Sequence, residues 1–174
     1  MIQKILCPTD LTVNSMESVA YGLSLAKENR AQLIVFHSTS FPLLAQYPYD
    51  EVGPFQQWDQ LVSRFKVDRL LSEAESKLKT FVHTHFRVES NTIAWRVRTA
   101  LGKVAEEIVV AALKEEADVI VLARRKVRTF ARLFTRSISA KVSRNAPCPV
   151  LSIGAAQIIR PPSRLRVPLL EEIV

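Results

Sequence analysis

The chain is poor in the residues that build several specialised sites. It has two cysteines, Cys7 and Cys148, each flanked by proline, and two cysteines make no disulfide framework. Both are expected to pack as small apolar groups near strand ends. It has four glycines, and none falls in a Walker phosphate loop or a nucleophile elbow. No apolar run is long enough to span a bilayer. The opening MIQKILCPTD reaches a proline and an aspartate too soon for a secretory leader, so a cytoplasmic location is expected.

Acidic residues are missing from one whole region. No Asp or Glu lies between Val119 and Leu170, while eleven basic residues do, among them Arg124, Arg125, Lys126, Arg128, Arg132 and Arg136. That excess is larger than the net charge of +7 for the 174 residues, so the rest of the chain is net acidic. Such asymmetry points to an anionic partner: a nucleotide phosphate, nucleic acid or an acidic protein surface. An ordinary solvated basic face is the plainer alternative. Phe130 and Phe134 share a helical period with Ile138, which makes them core residues and not a base-stacking platform. No nucleic-acid motif is present, so weak, salt-sensitive attraction is expected but no specific recognition.

The remaining composition is that of a globular protein: 48% hydrophobic and 24% charged residues. Short apolar runs alternate with amphipathic stretches. Ile2–Cys7, Leu33–His37, Ile93–Val97, Val119–Ala123 and Val150–Ile153 read as five buried strands. Asn14 or Ser15 is expected to cap the first helix, with Met16, Val19, Leu23 and Ala26 inward. A second helix is expected over about Trp58–Val82, with Leu61, Phe65, Leu71, Ala74, Leu78 and Phe81 on one side. Gly102 marks a turn, a third helix carries Val104, Ile108, Ala111 and Ala112, and Asp118 closes it. A fourth helical period runs through Phe130, Ile138 and Val142. Phe41–Pro54 reads as a loop or lid. Strands apolar throughout, alternating with helices, predict an α/β, doubly wound parallel sheet covered on both faces. The domain is expected over residues 1–154, with 155–174 a proline-containing extension that docks on this chain or on a second copy.

In such sheets a ligand sits beyond the carboxyl ends of the strands, where the strand order reverses. Two loops leave those ends with useful chemistry: Pro8-Thr9-Asp10 after strand one, and Ala123 to Arg128 after strand four. Asp10 can accept hydrogen bonds from a ribose or a base amine, or simply hold a turn. Ser137 falls where a helix can begin, and a hydroxyl beside free N–H groups suits an anion or an ordinary cap. His83 and His85 are two apart, do not share a helix face and have no completing ligands, so no metal is expected. His37 reads as a hydrogen-bonded structural histidine. No nucleophile, base or metal constellation argues for an enzyme.

ILCPTDLTVNS, GKVAEEIVVAALKEEADVIVLA and SISAKVSRNAPCPVLSI, in that order and spacing, resemble the universal stress protein family over residues 1–154. The resemblance implies a five-stranded parallel sheet of order 3-2-1-4-5, of the adenine nucleotide alpha hydrolase-like type. It also implies a homodimer paired through the fifth strand, and the C-terminal extension is a further candidate for that contact. The family's ATP-binding branch carries Gly-x2-Gly-x9-Gly-Ser/Thr after strand four. Here Ala123, Lys126 and Arg136 stand at the three glycine positions, and Ser137 matches. Asp10 aligns with the family's nucleotide-contacting aspartate and Ser38 with its base-contacting region. Long side chains in a phosphate cradle oppose the close backbone approach that glycine permits, yet as cations they can hold phosphate by charge. Asp10, Ser38, Ala123, Arg125, Lys126, Arg136 and Ser137 are therefore the candidate nucleotide or anion site. The leading expectation is a non-catalytic stress-response or regulatory protein without family-type ATP binding and with no resident cofactor. The alternatives are a sensor of ATP, another adenine nucleotide or an anion, and a module whose basic face meets an acidic protein.

Overall fold

The computed structural model describes residues 1–39, 56–86, 93–123 and 138–154, with side chains for all of these except 56–66. Its elements are β1 (Lys4–Pro8), α1 (Val13–Asn29), β2 (Gln32–Thr39), α2 (Gln56–His85), β3 (Trp95–Leu101), α3 (Val104–Glu115), β4 (Val119–Ala123), α4 (Ile138–Asn145) and β5 (Val150–Ile153). The five strands form one sheet of order β3-β2-β1-β4-β5, parallel at every junction. β4 and β5 occupy the residues expected from sequence. The chain from Phe41 to Pro54, the helical period from Phe130 to Phe134 and the extension at 155–174 lie outside the described residues.

Strand side chains alternate between the two faces, and this divides the core. Ile5, Cys7, Leu33, Val35, Val119 and Val121 pack with Val19, Leu25 and Ala26 of α1 and with Leu78, Phe81 and Val82 of α2. Leu6, Ile34, Phe36, Ile120 and Leu122 pack on the other side with Ile108, Ala111 and Ala112 of α3 and Val142 of α4. A run apolar at every position is what a strand covered on both faces requires.

Three sequence expectations need correction. Helix α1 starts earlier than expected: its N-cap is Thr12, in extended conformation, not Asn14 or Ser15. Its buried face is also rotated toward small residues, Ser15, Ser18 and Gly22, beside Val19, Leu25 and Ala26, while Met16 and Leu23 are only half-buried. The cause is a close helix–sheet approach. A β-carbon on Gly22 would lie 2.2 Å from Cys7 Sγ and 3.2 Å from Leu33 Cδ1. Finally, β3 begins at Trp95 and is not apolar throughout, because Arg96 and Arg98 occupy one of its faces. An edge strand tolerates that, since Arg98 is exposed and Arg96 only half-buried.

Scarcity of glycine shows at the helix ends. α1 and α3 both end in left-handed residues, a position that favours glycine, yet they are Arg30 (φ 54°) and Glu116 (φ 52°). Their backbone N–H groups still close onto Ala26 O in α1 and onto Ala112 O and Leu113 O in α3. Asp118 does more than close a turn. Its Oδ2 accepts the N–H groups of Gln3 and Lys4 at 2.8 and 2.9 Å, and its own N–H donates to Lys4 O at 2.9 Å. The amino ends of β1 and β4 are thereby joined.

Cys7 is fully buried on β1, as expected, and burial pushes its thiol far above the ordinary range. Cys148 is half-buried just before β5. Burial, with a smaller contribution from the Asp118 carboxylate, pushes its pKa up to about 11. Among the described residues no helix is long and apolar enough to cross a membrane.

Candidate functional site at the carboxyl ends of the strands

The strand order places β1 between β2 and β4. Pro8 lies opposite Phe36, and Ile5 opposite Val119. Counting along the strands brings Ala123 level with Thr9, and Ser38 level with Asp10. The loops after β1, β2 and β4 thus share one end of the sheet, beside the point where chain order reverses. Asp10, Ser38 and Ala123 are brought to this end, while Arg125, Lys126, Arg136 and Ser137 lie outside the described residues. Helix α4 begins at Ile138, immediately after Ser137.

Thr9 organises the β1 loop. It is buried, and each of its polar groups has a partner. Its N–H donates to Phe36 O at 2.8 Å. Its carbonyl lies 2.8 Å from His37 Nδ1. A carbonyl can only accept, so Nδ1 carries the hydrogen, and Nε2 is the polar atom the ring has left to offer. The Leu11 N–H donates to Thr9 Oγ1 at 3.0 Å. Ser15 Oγ lies 2.7 Å from Thr9 Oγ1 and donates its own hydrogen to Thr12 O at 2.9 Å, so the Thr9 hydroxyl is the donor between the two. These bonds hold Leu11 at φ 60°, a left-handed conformation that a branched side chain adopts only when its surroundings impose it.

Asp10 rides on this frame with its side chain exposed. Its Oδ1 accepts the Thr12 N–H at 3.1 Å and the Thr12 hydroxyl at 2.6 Å. This is an Asx turn leading into α1, and it fixes the carboxylate in place before any ligand arrives. Ser38 is half-buried, and its hydroxyl donates to Gly102 O at 3.4 Å, toward the end of β3. Gly102 also donates its N–H to Thr39 O at 3.0 Å, with φ at 156°. A β-carbon there would meet Glu107 Oε1 at 2.5 Å. Ser38 therefore braces the neighbouring turn, whereas Asp10 faces outward.

His37 is the structural histidine expected of it. The hydroxyl pair of Thr9 and Ser15 was not legible, because a threonine and a serine six positions apart form no recognised pattern. His83 and His85 sit exposed near the end of α2, with rings against Trp95 (5.3 Å) and Phe81 (5.0 Å) respectively. Among the described residues no group of three His, Cys, Asp or Glu side chains is placed to hold a metal.

A family model described as the universal stress protein family matches residues 1–153. A universal stress protein of Methanocaldococcus jannaschii is 27% identical over 157 residues, covering 88% of this chain and 82% of the relative. The solved structure of universal stress protein UspA from Lactobacillus plantarum superposes with a TM-score of 0.60 at 18% identity, covering 87% of this chain and 97% of that one. A universal stress protein solved in complex with cAMP gives a TM-score of 0.55 at 20% identity, with the same two coverages, 87% and 97%.

Proposed function

The chain belongs to the universal stress protein family, and from that premise we propose a non-catalytic stress-response or regulatory protein that has lost the glycine-dependent mode of ATP binding. The observation that carries the proposal is the replacement of the loop glycines by Ala123, Lys126 and Arg136, with Ser137 kept. Glycine in a phosphate cradle lets the backbone N–H groups reach the phosphate and adopt positive φ. Ala123 is a small change. Lysine and arginine put long side chains where phosphate oxygens would lie.

A second reading is favoured by what remains at the other side of the crevice. Asp10 stands preordered by Thr12, and Thr9 fixes the loop that carries it. In this reading Arg125, Lys126, Arg136 and Ser137 hold phosphate by charge, and Asp10 takes the sugar or base of an adenine nucleotide. A related protein was solved in complex with cAMP, which makes a nucleotide monophosphate a sensible probe beside ATP. A third role, meeting an acidic protein through the basic region, needs no pocket.

A homodimer through β5 fits the fold. That strand is short, apolar at Val150, Leu151 and Ile153, and its outer flank has no neighbouring strand among the described residues. Light scattering at micromolar concentration would give the mass of two chains, and a monomer there contradicts the pairing. For the crevice the test is calorimetric titration of nucleotide-free protein with ATP and magnesium, then with cAMP, at physiological salt. No heat from folded protein is the expected outcome. Micromolar binding would replace the leading reading with the sensor.

A further inference from the structure

The opposite edge of the sheet is built differently from β5. Trp95 and Val97 of β3 pack into the core cluster beneath α1 and α2. Arg96 and Arg98 take the alternate positions, on the α3 side, where a buried core strand would carry apolar residues. Both guanidinium groups converge on one carboxylate, Glu115, in the last turn of α3. Arg96 binds both of its oxygens, and Arg98 Nε lies 3.5 Å from Oε1. Glu115 is 7% exposed, whereas the side chains of Arg96 and Arg98 are 40% and 47% exposed. One buried carboxylate thus anchors two cations, and a positive charge is left over at the surface.

Among the described residues, the backbone of the same strand has no partner strand on its outer side. Leu33 N–H donates to Ala94 O at 2.9 Å, and Gly102 N–H to Thr39 O at 3.0 Å. In a parallel ladder the groups of alternate residues face alternate flanks. The even-numbered residues of β3 therefore pair with β2, and Trp95, Val97, Thr99 and Leu101 turn their N–H and C=O groups outward. Among the described residues no strand lies beyond β3.

We propose that this edge takes an extended acidic peptide segment of a partner protein as an added strand. Its carboxylates would stand beside Arg96 and Arg98, and its apolar residues beside Trp95 and Val97. The period of two sets the recognition pattern: acidic and apolar residues in alternation. The fixed positive charge also discriminates. Pairing of β3 with a second β3 would bring like charges together, so self-association at this edge is disfavoured while an acidic strand is favoured. This edge is two strands away from β4, on the far side of β2 and β1.

The test is an NMR titration of the isotopically labelled full chain with a short acetylated peptide of alternating valine and glutamate. A valine–lysine peptide serves as its counterpart. The expected result is shifted amide signals and slowed hydrogen exchange at Trp95, Val97, Thr99 and Leu101. Arg98→Glu should weaken binding of the glutamate peptide about tenfold and make the lysine peptide the better ligand. Should Arg98→Glu disturb folding, Arg98→Gln keeps the test, with an expected loss of about threefold. Absence of shifts overturns the proposal. So do shifts outside β3 that Arg98→Gln leaves unchanged, which would mean general attraction to the basic region.

Discussion

Two exposed aspartates, one at each end of the parallel sheet, accept hydrogen bonds from backbone N–H groups and do different work. Asp118, at the amino end, reaches Gln3 and Lys4, more than a hundred residues away in sequence, and joins β1 to β4. Asp10, at the carboxyl end, accepts the N–H and the hydroxyl of Thr12, two residues on, and so shapes the turn into α1. A long-range clip closes a large loop of chain and contributes to stability; a local turn costs little entropy to form and leaves its carboxylate outward. The amino end is therefore the fastened end. The carboxyl end is held from beneath, by buried Thr9.

The largest effect expected from this contrast is chemical. Cys148 lies near Asp118, and its thiol is shifted upward from 9.0 to about 11. The protonated form is favoured, so near neutral pH its thiolate fraction is about 100-fold below that of an unperturbed thiol. Alkylation of the folded protein should be markedly slower than that of an unperturbed thiol. Its rate should rise about tenfold per pH unit and level off only above pH 11. Asp118→Asn removes the smaller of the two causes and should speed the reaction modestly. Mass-spectrometric rates across pH measure both effects.

Thr9→Val breaks the carboxyl end from below. It leaves the Leu11 N–H without its acceptor in a left-handed turn and removes the donor to Ser15 Oγ, at a cost of about 2 kcal/mol by chemical denaturation. Asp118→Ala unfastens the amino end. Its amide partners are exposed to water, so the expected loss is smaller, about 1 kcal/mol, with no change in ligand response. Asp10→Ala sharpens the contrast most. Stability should stay within about 0.5 kcal/mol of the parent. Any nucleotide or anion response that the protein has should nonetheless fall. A large stability loss in Asp10→Ala would make that residue a second clip.

Much of this fold was legible in the sequence. Val119–Ala123 is an unbroken apolar run after Asp118, Val150–Ile153 is a short run after Pro149 interrupted only by Ser152, and both strands have those bounds. β3 was misplaced because Arg96 and Arg98 interrupt its apolar pattern, and the apolar period alone does not reveal that Glu115 offsets them. The buried face of α1 was misread for the opposite reason. A search for large apolar residues passes over Ser15, Ser18 and Gly22, yet close packing against Cys7 demands small ones. The Asp118 clip depends on a contact between distant segments, which local pattern cannot encode. At the site, Asp10 and Ala123 were named from the loops that leave strands one and four, and Ser38 from the family resemblance, while the Thr9–Ser15 pair is visible only in the folded chain.

We propose that Lys126 and Arg136 exclude the family's mode of ATP binding. That exclusion is tested most directly by calorimetric titration of ATP and magnesium into the parent and into the doubly substituted Lys126→Gly, Arg136→Gly protein. The parent should show no measurable binding, and the variant a gain of at least about tenfold in affinity, as the cradle is reopened. Micromolar binding by the parent that the two glycines abolish would contradict it, and would make the cations the phosphate ligands.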